Sequence, residues 1–199
     1  MQACKFPILT FDETRLSASL GYVFDSRWLD PYESLLSMLW KFAHMNRLAG
    51  HVVVAHVAKR PGDPYAGVAA TAADVDIGHV ATTLRLAPKT VRSSMPRAGS
   101  QRPWCPDLRF CPRCMARGYH GVVHQLGTQP RCPVHGNWLQ TACSSCGLSS
   151  AYRLDALVLG APFRCAHCRS PYSRRTTGFV HRPALSKPAR AAITRALIG

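Results

Sequence analysis

The sequence predicts a small, metal-stabilised α+β fold, in which a mainly helical N-terminal domain with helix-turn-helix character precedes tandem zinc-binding modules. Three observations carry this expectation. Four close pairs of thiolate and imidazole side chains recur between residues 111 and 168. Apolar residues fall at helical spacing through 33–48 and again through 74–95. Between these regions, Pro96-Arg-Ala-Gly-Ser-Gln-Arg-Pro-Trp-Cys-Pro106 is rich in turn formers and has no period, which marks a boundary. The expected units are therefore a helical domain over 1–100, a tandem zinc domain over 105–172, and a basic tail with a short helix over 173–199.

Residues 1–30 carry Pro7-Ile-Leu and Gly21-Tyr-Val-Phe24, which read as short extended pieces, and Cys4 reads as a small apolar residue in the terminus. Pro31-Tyr-Glu-Ser34 supplies a helix entry, and Leu35, Leu36, Leu39, Phe42 and Ala43 then follow on one face up to Asn46. Trp40 and Met45 fit packing roles in that helix, and His44 fits a surface or hydrogen-bonded position. Val52-Val-Val-Ala-His-Val57 suits a buried strand or a helix, because short apolar runs are not resolved by period. Lys59-Arg-Pro-Gly-Asp-Pro64 is a turn or loop.

From Asp74 to Met95, Ile77, Val80, Ala81 and Leu84 form one helical face, Leu86-Ala-Pro88 interrupts it, and Val91 with Met95 begins another. That is the layout of a helix-turn-helix, whose second helix would place Lys89, Thr90, Arg92 and Ser93 where phosphates or base edges are read. Two short helices packed at an angle with no DNA contact satisfy the same pattern.

The chemistry-bearing pairs are Cys111-Pro-Arg-Cys114, Cys132-Pro-Val-His135, Cys143-Ser-Ser-Cys146 and Cys165-Ala-His-Cys168. Two residues separate the members of each pair, so a tight turn can aim both at one ion, and the set suits two structural zinc ions. Sequential pairing gives a Cys3His site and a Cys4 site; an interleaved pairing uses the same spacings. Cys105 matches none of the pairs and is read as a non-ligand. Trp138 and Leu139 are expected to cover the second turn, while Tyr152, Leu154, Leu157, Val158, Leu159 and Phe163 fill the second module.

Charge is distributed unevenly. The formal net charge is +15, which two thiolate-rich zinc sites would reduce to about +12. Residues 105–199 hold thirteen Lys or Arg against Asp107 and Asp155 alone, whereas residues 1–60 hold seven basic and five acidic. The zinc half is thus the expected polyanion-facing half, with DNA the leading partner and a solvated or ribonucleoprotein-contacting surface the competing reading. Tyr119-His120 and His124-Gln125 invite a metallonuclease reading, but hydrolytic sites draw on carboxylates or an open ligand position, and closed cysteine-rich sets offer neither. No enzyme is expected. Nine cysteines, seven of them in metal spacings, with no apolar run near eighteen residues and no charged-then-apolar leader, give the expectation of a soluble cytoplasmic protein without a membrane partner.

The string Leu108-Arg-Phe-Cys-Pro-Arg-Cys-Met-Ala-Arg-Gly-Tyr-His-Gly-Val-Val-His-Gln-Leu126, followed by Arg131-Cys-Pro-Val-His-Gly-Asn-Trp-Leu139 and Cys143-Ser-Ser-Cys-Gly147, resembles the TniQ family of transposition target-selection proteins. The resemblance covers about 105–172 and extends more weakly to Glu33–Asn46. It implies a non-catalytic accessory protein of DNA transposition, joining target DNA or a target-selecting complex to the transposon AAA+ ATPase regulator while a separate transposase performs recombination. It also places His120 and His124 outside the four-ligand set. Because the sequence stops soon after the second module, a short adaptor is expected in place of an autonomous reader of a long site. A zinc-containing helix-turn-helix transcription regulator that binds DNA unaided is the second expectation.

Overall fold

The structure is a computed structural model, and it describes residues 21–96, 103–174, 179–180 and 182–198. The expectations for Cys4 and for Pro7-Ile-Leu, and most of the expected boundary, lie outside these residues. Seven α-helices and a two-stranded antiparallel sheet are described: α1 (Leu35–Asn46), α2 (Gly50–Val57), β1 (Val68–Ala69), α3 (Ile77–Thr83), α4 (Pro88–Ser93), α5 (Pro112–Ala116), β2 (Arg153–Leu154), α6 (Ala156–Leu159) and α7 (Lys187–Ile198).

α1 is the centre. Ser34 caps it by accepting from the Ser37 amide, and Arg47 ends it in the left-handed region at φ 52°. Every residue from Leu35 to Ala43 is buried, so the helix is enclosed on all sides. Its tip docks on the first cysteine module through backbone pairing: the Ser34 amide donates to the His120 carbonyl (2.8 Å) and the Val122 amide to the Tyr32 carbonyl (2.9 Å).

Val52–Val57 is helical, as part of α2, and the reason is tertiary. α2 lies against α6 so closely that a Cβ on Gly50 would come within 2.6 Å of the Gly160 nitrogen and overlap the Ala156 carbonyl oxygen. Only glycine permits that approach, and a strand would not present the valines on the several faces where Val52, Val53, Val54 and Val57 are buried. β1 pairs with β2 in the register Val68↔Leu154, joining residues from the two halves of the chain. Arg153 adds hydrogen bonds to the Ala66 and Gly67 carbonyls.

These contacts make one core of what the sequence divides into two units. Leu35, Trp40, Val53 and Val91 share an apolar cluster with Leu108, Phe110, Cys143, Leu154, Leu159 and Cys165. The Trp40 indole N–H donates to the Val158 carbonyl at 2.7 Å, across 118 positions. A smaller cluster surrounds the first cysteine module, and Leu185 and Ile193 complete it. The basic tail is therefore a strap: Asp30 accepts from the Leu185 amide (2.9 Å) and pairs with Arg182 and Arg117. Beside it, the fully buried Glu33 and Lys41 form an ion pair, and Glu33 also accepts from Ser37 Oγ (2.5 Å) and the Asp30 amide (3.0 Å). Burial lowers the Lys41 ammonium to about 8.

Candidate metal centres

The four pairs assemble in chain order into two clusters, Cys111, Cys114, Cys132, His135 and Cys143, Cys146, Cys165, Cys168, within each of which the candidate ligand atoms lie within 4.8 Å of one another. The interleaved pairing is thereby excluded, and Cys105 joins neither cluster. In the first cluster His135 Nδ1 stands 3.4, 3.3 and 3.6 Å from the sulfurs of Cys111, Cys114 and Cys132, and Cys114 and Cys132 are 3.7 Å apart. In the second, Cys143–Cys168 and Cys146–Cys165 are both 3.7 Å apart. A tetrahedron with the bond lengths zinc takes to sulfur and nitrogen has edges of about 3.8 Å between sulfurs and about 3.6 Å between sulfur and nitrogen. The clusters match that shape to within a few tenths of an ångström, so each can hold one metal ion, and the donor set is one that zinc accepts.

Two backbone devices aim these side chains. Cys111 is the N-cap of α5, Pro112 opens the helix and Cys114 sits in its first turn. The other three pairs are copies of one knuckle. In each, the residue four positions after the first cysteine donates its amide back to that cysteine's carbonyl: Gly136 to Cys132 (2.8 Å), Gly147 to Cys143 (2.8 Å) and Arg169 to Cys165 (3.0 Å). That residue is left-handed in all three, with φ of 70°, 76° and 62°, which explains why two of the three are glycine. The first cysteine's own amide then donates to Asn137, Leu148 and Ser170 respectively. In the second site the Ser145 and His167 amides each lie 3.4 Å from a cysteine sulfur, suiting a thiolate.

The first cluster shares its protons unevenly, and of the shifts at Cys111 and His135 only the one at Cys111 is in the direction metal binding requires. Hydrogen bonding from Cys114 and Cys132 draws the Cys111 thiol far down, and Cys111 and Cys132 hold His135 up at about 9. A cation bound there displaces these protons, so its affinity rises with pH. The sites also differ in depth: Cys111, Cys114 and Cys132 are buried with His135 half-buried, whereas Cys146 and Cys168 are exposed.

His124 touches the first cluster without belonging to it. Its Nδ1 accepts from the Gly121 amide (3.2 Å), which leaves the proton on Nε2, and Nε2 stands 3.8 Å from Cys132 Sγ. His120 is a separate bolt. Its Nε2 donates to the Arg109 carbonyl (2.8 Å) and its Nδ1 accepts from Ser34 Oγ (2.7 Å), joining the first module to the cap of α1. Burial lowers His120 to about 4 and His124 well below its ordinary value, so both are neutral. Both histidines make hydrogen bonds and stand outside the ligand set, but nothing in their spacing singles out the one that reaches the sulfur.

The four residues placed on a recognition helix sit on α4. Lys89, Arg92 and Ser93 are exposed, Thr90 is half-buried with its carbonyl accepting from Ser93 Oγ, and buried Val91 anchors the helix. α3 is capped by Asp76, whose carboxylate accepts from the His79 amide, and Arg85, at φ 52°, turns the chain toward α4. Two expected core positions are corrected. Trp138 is 61 % exposed, with Arg131 stacked 4.1 Å from its ring, because its knuckle turns that edge outward. Leu157 is 43 % exposed, on the outer face of the one-turn α6.

No family model matches the chain, and no curated protein matches it. Among the described residues no helix is long and apolar enough to cross a membrane.

Proposed function

We propose that the protein is a non-catalytic, TniQ-like accessory protein of DNA transposition, which links target DNA or a target-selecting complex to the transposon AAA+ ATPase regulator. The observation that carries this reading is the pair of closed four-ligand clusters set in an acid-poor, cationic half of the chain. Closed cysteine-rich sites organise a surface and leave no open position for chemistry. The Asp155 carboxylate is engaged in capping α6, accepting from the Leu157 and Val158 amides, and the two buried histidines, His120 and His124, are engaged in structural hydrogen bonds and kept neutral by burial. The motif resemblance over 105–172 supports the transposition setting, and two zinc ions are the proposed cofactors.

The test is binding of the purified, zinc-loaded chain to DNA with and without that ATPase. A stable protein complex, with weak and salt-sensitive DNA binding by the chain alone, is the expected result. The arrangement of α3 and α4, with Lys89 and Arg92 exposed, favours a second reading as a helix-turn-helix transcription regulator. That reading requires tight, sequence-dependent binding by the isolated protein, abolished by Lys89→Glu with Arg92→Glu.

A further inference from the structure

Where the last turn of α1 meets α5 and the final knuckle of the second module, two adjoining hollows of about 450 and 570 Å³ share His44 and Pro162. The floor of the first is apolar, built from Met115, Ala161, Phe163 and Phe179, and its edge carries Arg164 and Arg169. Arg47 lines the second. All three arginines are exposed, and neither hollow has a carboxylate among the described residues that line it. Two of the guanidinium groups are held by hydrogen bonds: Arg169 donates to the Gly160 carbonyl (2.7 Å) and Arg164 to the Arg169 carbonyl (3.2 Å).

A concave apolar floor rewards a bulky uncharged side chain, and a rim of arginines rewards carboxylates on either side of it. Phosphate could meet the rim but leaves the floor unused, so the combination favours protein over nucleic acid. We infer that these joined hollows are a docking groove for a protein segment that inserts one large apolar side chain flanked by acidic residues. This rests on the adaptor reading and deepens it, since it names the face and the chemistry by which a protein partner is held. The groove lies at the junction of α1 with the two metal modules, so loss of either metal deforms it.

The test uses the zinc-loaded full chain and a fluorescein-labelled decapeptide with a central Trp-Leu pair flanked by Glu and Asp, followed by fluorescence anisotropy. Saturable binding is expected, weakened at least about tenfold when Trp-Leu is replaced by Ser-Ser and when Arg47→Glu is combined with Arg164→Glu. His44→Glu, which sets a carboxylate where the hollows meet, weakens it similarly, and zinc content and melting temperature show that each variant is folded. Equal binding of the Ser-Ser peptide, or variants that bind as the parent does, would overturn the groove. So would displacement of the peptide by duplex DNA through the same arginines, which assigns the hollows to nucleic acid. Peptide binding as described without assembly with the ATPase leaves the groove standing and removes the adaptor reading. Assembly that ignores Arg47→Glu/Arg164→Glu does the reverse.

Discussion

His124 carries the first site's influence one shell beyond its ligands. An Nε2–H facing the Cys132 sulfur fixes that ligand's orientation, and such outer contacts typically change metal affinity by about tenfold or more. Replacing His124 with Leu therefore lowers zinc affinity by about that factor, whereas Gln, whose side-chain amide can still donate to the sulfur, retains most of it. Competition against a chromophoric chelator measures both. His120 makes a different prediction. Its folded value near 4 lies below the 6.5 of a free histidine, so the unfolded chain binds the extra proton and stability falls as pH drops through that window. At pH 5.5 the loss is about 1 kcal/mol relative to pH 7. Urea unfolding at both pH values should show a pH dependence larger in the parent than in His120→Gln by that amount, since His124, also lowered by burial, contributes in the same direction to both.

The scale of elements shows where sequence period fails. α1 is legible because Ser34 and the Leu35, Leu36, Leu39, Phe42 series specify both its start and its face. Period leaves α2 open between strand and helix, since the deciding contact is the backbone of α6 more than a hundred residues away. Gly50→Ala tests that explanation: the added methyl must push α2 from α6, costing about 2–3 kcal/mol by overpacking, read from chemical denaturation. The knuckles are legible as ligand spacings, whereas the left-handed residue four positions after each first cysteine emerges only in the structure, as Gly136, Gly147 and Arg169. Arg169 hides it most fully, because an arginine there gives no sign of a positive φ.

For the molecule as a whole, the decisive fact is that Cys143 and Cys165 lie in the same apolar cluster as α1 and α2. Two separate domains would melt separately, with metal loss confined to the C-terminal half. A shared core predicts instead that Cys143→Ser, or chelation of the second site, lowers the stability of the helical half too. Trp40, buried and bonded to Val158, reports on that half once Trp28, Trp104 and Trp138 are replaced by Phe: its fluorescence change and the far-ultraviolet transition should coincide in one shifted melt. Two transitions, with the Trp40 signal unmoved, would contradict a single core. The strap acts in the same direction, since Asp30 holds Arg182 and Leu185 and so keeps Ile193 of α7 over the first cluster.

By itself the sequence determined the eight candidate ligands and the cationic, acid-poor character of the second half. It also determined the central helix and the two short helices near 77–93. These are local properties: ligand spacing, helical period, capping and composition act over a few residues and need no knowledge of what lies across the fold. Only the tertiary structure decided that the ligand pairs close in chain order, that the tail is a strap and that His124 reaches a sulfur. It also decided that the helical and metal-bearing parts share one interior. Each of those depends on atoms brought together from distant positions, where burial and close approach outweigh any local preference.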